Sequence, residues 1–276
     1  MDAAVGAWTE LADGVYVRAH AAQRLNVGLV VGAERCAVLD TRSSHHQGRD
    51  LARAVRAITP QPWVLVNTHA HWDHCFGNAV FTGAPIWGHP ACARRLATDG
   101  EAERRAARSD ALAEGDAGLA AEIDDVVITP PRRLVADEAA IDLGGRRLRL
   151  AHLGRGHTDG DLVVEAEGVV FAGDLLEEGA PPDFADAFPL DWPATLAALL
   201  PRLGAVIVPG HGGLLHRDDA LEQAALHAEV ARAARAAHAA GVPVERAAGA
   251  LPLERATAEV ALRRAYRQLD AEGPTG

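Results

Sequence analysis

Short apolar runs recur along the chain, each cut off by Gly, Pro or Asp, and their spacing separates strands from helices. Val15–Val17, Gly28–Val31, Ala37–Leu39, Trp63–Val66 and Pro85–Trp87 are short and bounded by turn residues, which predicts a first block of strands. Within that block, Gly48–Ile58 places apolar residues at helical spacing and stops before Pro60. The stretch from Ala91 to about Ala121 is rich in Ala and Arg with few large apolar residues, so a helical insertion that covers the core is expected there. A second block of strands follows at Leu148–Ala151, Asp161–Glu165, Val169–Ala172 and Ala205–Val208. Helices are predicted at Trp192–Leu203, with Pro193 in the first turn where a missing N–H costs nothing, at Asp218–Ala240 and at Arg255–Leu269. Two strand blocks, each followed by helix, predict an α+β fold of two sheets packed together with helices on the outer faces. No linker divides the chain. One domain over residues 1–276 is expected, with the insertion at about 91–121 and C-terminal helices at about 218–270.

Composition narrows the function. The 276 residues carry 27 basic and 38 acidic side chains, a formal net charge of −11, and every basic residue is arginine. An acidic chain without a basic stripe repels phosphate backbones, so no nucleic-acid partner is expected. No run of 18 apolar residues predicts a membrane span. The segment MDAAVGAWTELADGVYV lacks a basic region followed by an apolar one, and the three cysteines form no pairing pattern; a cytoplasmic protein is expected.

Candidate chemistry centres on NTHAHWDHCFGN, residues 67–78, directly after the run Trp63–Val66. A lone histidine in a loop is usually an ordinary polar residue. Here His69, His71, Asp73 and His74 fall within six positions. In an extended segment, side chains at i and i+2 point the same way, so His69 and His71 converge on one point. Asp73 and His74 lie on the following turn and face a neighbouring point. Imidazole nitrogens and carboxylates are donors that zinc accepts. Further candidates stand beside glycine near predicted strand ends: His157 in GHT, Asp174 in GD and His211 in GHG. A carboxylate such as Asp174 can bridge two cations.

With these motifs in hand, the chain resembles the metallo-β-lactamase superfamily. HAHWDH matches the superfamily's HxHxDH signature, LGRGHTDGDL the region of its third histidine, FAGDLL its bridging aspartate and VPGHGG its last histidine. AVLDTR matches the early aspartate that supports the ligand loop. The resemblance implies an αβ/βα sandwich with metals at one edge. It implies that His69, His71 and His157 hold one divalent ion, that Asp73, His74 and His211 hold a second, and that Asp174 bridges them. Asp40 would orient a ligand histidine, and Thr158 is a further candidate donor behind the ligands. Zinc is the expected metal; iron and manganese suit the same donors. Asp174 stands where some true β-lactamases carry cysteine, which points to the glyoxalase II-like side of the superfamily, although the lysine-bearing glutathione pocket of glyoxalase II has no counterpart in a chain without lysine.

Two cations that share a water lower its pKa from ~15.7 toward ~7. The expected activity is therefore hydrolysis of an ester, thioester, lactone or amide of a small molecule, with Asp73 also able to accept a proton. Two alternatives stand beside it: an iron-dependent oxidoreductase of the persulfide dioxygenase kind, and a non-catalytic metal-binding module. The substrate pocket is expected between the Ala91–Ala121 insertion and the loop EEGAPPDFADAFPLDW. Phe184, Phe188 and Trp192 are candidate lining residues, with Trp72 and Phe76 beside the ligands. Cys75 reads as a small buried hydrophobe and His45 and His46 as a solvated turn.

Overall fold

The computed structural model describes residues 6–272. Residues 1–5, part of the leader reading, and residues 273–276, the end of the expected domain, lie outside the described residues. Strands β1 (Trp8–Ala12), β2 (Val15–Ala19), β3 (Asn26–Val31), β4 (Cys36–Leu39), β5 (Trp63–Val66), β6 (Ile86–Gly88) and β7 (Arg133–Leu134) lie side by side in chain order as a seven-stranded sheet. Strands β8 (Glu138–Asp142), β9 (Arg147–Ala151), β10 (Val163–Ala166), β11 (Val169–Gly173) and β12 (Val206–Pro209) form a five-stranded sheet in the order β12-β11-β10-β9-β8. Antiparallel hairpins open the first sheet, and β4 to β7 then pair in parallel. In the second sheet only β11 and β12 are parallel.

Alternation along the strands sets the layers. Ala37, Leu39, Val64 and Val66 face inward and meet Val164, Val169, Phe171 and Val208 of the second sheet in one buried cluster. Each fully buried Val or Leu there contributes about 1.5–3 kcal/mol relative to exposure. The intervening residues Cys36, Val38 and Leu65 point outward and pack on Leu51 and Val55 of helix α1 (His45–Ile58). A short helix α2 (Trp72–Cys75) follows β5, and helices α3 (Pro90–Thr98), α4 (Gly100–Ala113) and α5 (Ala117–Asp124) form the insertion. Helices α6 (Trp192–Leu199), α7 (Arg217–Ala239), α8 (Val244–Ala247) and α9 (Arg255–Glu272) cover the outer face of the second sheet, burying Trp192, Val230 and Leu262 against Val163, Val170 and Ile207. The result is the expected helix–sheet–sheet–helix sandwich. Among the described residues no helix is long and apolar enough to cross a membrane.

Several elements depart from expectation. Helix α1 begins three residues early because Ser44 caps it, accepting from the Gln47 N–H at 3.1 Å. His45 and His46 therefore sit in its first turn, where His45 Nε2 accepts from the Val127 N–H and His46 faces Glu122. Strands β1, β7 and β8 have no strong apolar alternation of their own. The insertion is not mere covering: Leu96, Ala107, Ala111, Leu119 and Ile123 enclose a small core with Phe76 and Cys75.

Topology then places the chemistry. In a parallel pair both chains leave the sheet at the same edge. The ends of β4 and β5 deliver Asp40 and residues 67–74, while the ends of β11 and β12 deliver Asp174 and His211. Asn26, at the start of β3, ties the two edges together: its N–H donates to the Gly210 carbonyl and its side chain to the carbonyls of Pro209 and Gly212.

Candidate metal centre

The ligand loop is shaped by buried hydrogen bonds. Asp40 adopts φ 64°, a left-handed conformation that Asp tolerates better than most residues. That turn brings its carboxylate back to the loop after β5. Oδ1 accepts from the Thr68 N–H at 2.8 Å and Oδ2 from the Thr68 hydroxyl at 2.7 Å. His71 is the cap residue of α2, and the single turn of that helix swings Asp73 and His74 to the inside. Gly173, at φ 54°, turns the chain so that Asp174 leaves β11 toward the same point.

Seven side chains converge in two groups, His69, His71, His157 and Asp174 in one and Asp73, His74 and His211 in the other. Asp174 stands between them. Its Oδ2 lies 3.2 Å from His211 Nε2, 3.4 Å from His157 Nε2 and 3.6 Å from His69 Nε2, and its Oδ1 lies 3.3 Å from His74 Nε2. Within the first group His157 Nε2 is 2.9 Å from His71 Nδ1. Within the second, His74 Nε2 is 3.2 Å from His211 Nε2, and Asp73 Oδ2 is 3.4 Å from His211 Nε2.

Groups behind the rings decide which nitrogen is free. A carboxylate only accepts, so the 2.7 Å contact to Asp40 puts the proton of His74 on Nδ1. The 3.1 Å contact to Asp186 likewise puts the proton of His71 on Nε2 and turns its Nδ1 inward. His211 donates from Nδ1 to the Gln23 carbonyl at 2.6 Å. The Thr68 hydroxyl, having given its hydrogen to Asp40, accepts from His69 Nδ1 at 3.0 Å. The other nitrogen of each ring is thereby left facing the cluster.

Such an arrangement demands positive charge. Burial works against a charged imidazole, yet Asp174 and then Asp73 raise His211 to about 10 and His74 well above the ordinary range. Burial, reinforced by neighbouring imidazoles, holds His69 down, and it holds His157 at about 4. Burial also opposes ionisation of Asp174, but His74, His211 and His69 outweigh it and keep the carboxyl well below the usual carboxylate range. His69 Nε2 and Asp174 Oδ1 are fully buried without a hydrogen-bond partner. Ligands about 2.0–2.1 Å from a tetrahedral ion stand about 3.3–3.4 Å apart, close to most of the separations above. The donors are imidazole and carboxylate only; Cys75 Sγ is directed at the carbonyls of Ala70 and His71. Divalent ions fit these two groups.

A cavity of about 540 Å³ opens over the cluster. Its walls come from α3 and α4, from the turn at Gln23 and Arg24, and from residues 177–186, between the insertion and the loop after Asp174 as expected. The expected aromatic lining needs correction. Trp72 lines the cavity, but Phe184 and Trp192 are buried in the core beneath α7, packed on each other and on His227, and Phe76 is buried in the insertion core. Phe188 is half-buried against Arg155. Thr158 serves its own loop instead of a ligand: its N–H and hydroxyl both bind Asp161, at 2.9 and 2.6 Å. Sequence reasoning missed Asp186, which also pairs with Arg95, and missed the roles of Thr68 and the Gln23 carbonyl. Thr68 was visible inside the histidine motif, whereas nothing distinguishes Asp186 from the other acids of its loop.

Comparison with known proteins agrees with this geometry. A metallo-beta-lactamase from Pontibacter korlensis superposes with a TM-score of 0.63 at 20% identity, covering 80% of this chain and 98% of that one. A stereoselective inverting sec-alkylsulfatase from Pseudomonas sp. superposes with a TM-score of 0.76 at 15% identity, covering 95% of this chain and 50% of the sulfatase. An acyl-coenzyme A thioesterase of Gallus gallus is 27% identical over 165 residues, which span 57% of this chain and 59% of the relative. Residues 24–211, a stretch that includes all seven converging side chains, match the family described as the metallo-beta-lactamase superfamily. The chain belongs to the metallo-beta-lactamase superfamily.

Proposed function

We propose that this protein is a metal-dependent hydrolase acting on an ester, thioester, lactone or amide of a small molecule. One observation carries the reading: Asp174 lies 3.2–3.6 Å from a ring nitrogen of both groups, so one carboxylate serves two adjacent cation sites. His69, His71 and His157 would hold the first ion and Asp73, His74 and His211 the second, with Asp174 shared between them. Zinc suits a set of nitrogen and oxygen donors that leaves coordination positions open. When bound, two such ions lower the pKa of a shared water and polarise the scissile carbonyl.

The chain's own residues do the rest. Asp40, Asp186, Thr68 and the Gln23 carbonyl hold the nitrogen of each ring that faces away from the cluster, which fixes the ring angle and aims the other nitrogen inward. Asp73 lines the cavity floor and carries the carboxylate that accepts the proton of the attacking water. Helices α3 and α4 and the half-buried Trp72 wall the cavity over the cluster. The thioesterase name of the chicken relative makes thioesters the first substrates to try.

The test is a panel of esters, thioesters, lactones and amides given to zinc-loaded protein. Turnover is expected in the loaded form and is expected to vanish in His71→Ala and Asp174→Ala. Full activity in either variant, or equal activity after metal removal, overturns the reading.

A further inference from the structure

We infer that a side pocket next to the metal cluster is a subsite for an uncharged part of the substrate that both donates and accepts a hydrogen bond, a hydroxyl or a primary amide, and that His227 recognises it. This deepens the hydrolase reading and rests on it for taking the ligand as substrate. A second cavity, of about 170 Å³, adjoins the larger one along Asp174, Glu177 and Ala180. It has room for a short chain of roughly five water-sized groups. Leu175, Pro182 and Leu226 give it apolar walls, and His227 of α7 lines it. Gln223, one turn earlier on the same face of α7, fixes its rim. Its side-chain amide accepts from the Glu177 N–H at 3.1 Å and donates to the Glu177 carbonyl at 2.7 Å.

His227 is the observation that points to a ligand. It is 1% exposed, and its Nδ1 and Nε2 are both buried without a hydrogen-bond partner. Packing accounts only for the ring's faces. Trp192 lies against it at 4.0 Å between centroids and 31° between planes, and Phe184 stands at 5.6 Å. The nitrogens sit on the ring edge, and a phenyl or isobutyl group would fill the same core space without burying them. Buried polar atoms of folded chains are paired, because an unpaired one forfeits its hydration. Gln223 is committed to the Glu177 backbone, so the partner comes from the pocket. Burial keeps the imidazole uncharged, and the neutral ring presents one N–H donor and one bare acceptor. A hydroxyl or a primary amide answers both. An ion of either sign would shed its water among apolar walls and find no countercharge on the ring. A scissile carbonyl over the cluster, with a short chain turned into the side pocket, brings such a group to His227.

The experiment uses zinc-loaded full-length protein and thiols, whose sulfur takes the metal and whose tail probes the pocket. By calorimetry, 3-mercapto-1-propanol, 4-mercapto-1-butanol and 5-mercapto-1-pentanol are compared with 1-butanethiol, 1-pentanethiol and 1-hexanethiol, each pair differing only by hydroxyl against methyl. The ratio of alcohol to alkane affinity is expected, for at least one length, to be roughly fivefold higher in the wild type than in His227→Leu. His227→Gln keeps a donor and an acceptor and is expected to restore it. Nitrogen NMR of the wild-type imidazoles reads the contact directly. The His227 nitrogens are expected to shift with that alcohol, not with its alkane partner, and to shift with propanamide, which carries no thiol. A ratio that His227→Leu leaves unchanged at every length, or ring nitrogens that neither alcohol nor amide moves, overturns the inference. If no thiol binds, the metal centre is contradicted, and the propanamide titration still decides the subsite. A hydroxyl effect without hydrolysis of any ester refutes the hydrolase alone, whereas turnover with silent His227 nitrogens refutes the subsite alone.

Discussion

Asp40 Oδ2 lies 2.7 Å from His74 Nδ1, although the residues stand 34 positions apart and leave two neighbouring strands. Both are buried, and the same carboxylate also accepts twice from Thr68. A fully desolvated carboxylate behind an imidazole fixes the ring and raises its basicity toward a metal. Asp40→Asn keeps the size and tolerates the left-handed backbone, so the fold is expected to survive. Metal affinity is expected to fall about 10- to 100-fold, as read by competition with a chelator of known strength.

Asp186 plays the corresponding part for His71, 115 residues away in the chain. Its carboxyl is held well below the usual range: burial opposes this, but the hydrogen bond from His71 and the charges of His71 and Arg95 prevail. Asp186→Asn is expected to weaken only the group containing His71, by about tenfold. Stepwise chelation should therefore release one ion early and leave the second nearly as tightly held as in the wild type.

Gly210 permits the close approach of β12 to Asp174. A Cβ there would stand 1.7 Å from Asp174 Oδ1, whereas one at Gly249 would meet nothing within 4 Å. Gly210→Ala is expected to lower stability by about 1–3 kcal/mol and to displace the bridging carboxylate. Gly249→Ala should leave both properties within about 0.5 kcal/mol of the wild type. Thermal unfolding together with metal content checks the pair.

His227 gives the fold an acid sensitivity. Its ring is buried against Trp192 at a centroid distance of 4.0 Å, and burial, with a smaller effect of His157, lowers it to about 3. The unfolded chain binds this proton near 6.5, so between 6.5 and about 3 the unfolded state holds more protons, and stability rises with pH. The contribution is complete above about pH 6.5 and is lost as pH falls through that window. His227→Phe is expected to reduce the loss between pH 7 and pH 5 by about 2 kcal/mol. Denaturant unfolding of both proteins at the two pH values measures it; an unchanged difference would contradict the buried neutral ring.

The seven converging residues were legible because a metal site built at strand ends writes a local pattern. Short apolar runs end, glycine follows, and the donor comes next, as in GHT, GD and GHG. His69 and His71 also announce themselves by the two-residue period of extended chain. The residues behind the ligands leave no such mark. Asp186 reaches His71 only through the tertiary path of its loop, and Gln23 contributes a carbonyl that any residue could supply. Strand β8, EAAID, owes its register to β9 more than to its own alternation. Phe184 and Trp192 lie in the core beneath α7 instead of lining the cavity, because the tertiary path that folds their segment under α7 leaves no local mark in the sequence.

The most direct measurement is the metal content of the purified protein and of Asp174→Ala, taken after saturation with zinc and removal of excess. Two ions per wild-type chain are expected, with less than one retained by the variant at unchanged circular dichroism. A wild-type protein that is folded and takes up no divalent ion would contradict the shared cluster and the chemistry built on it.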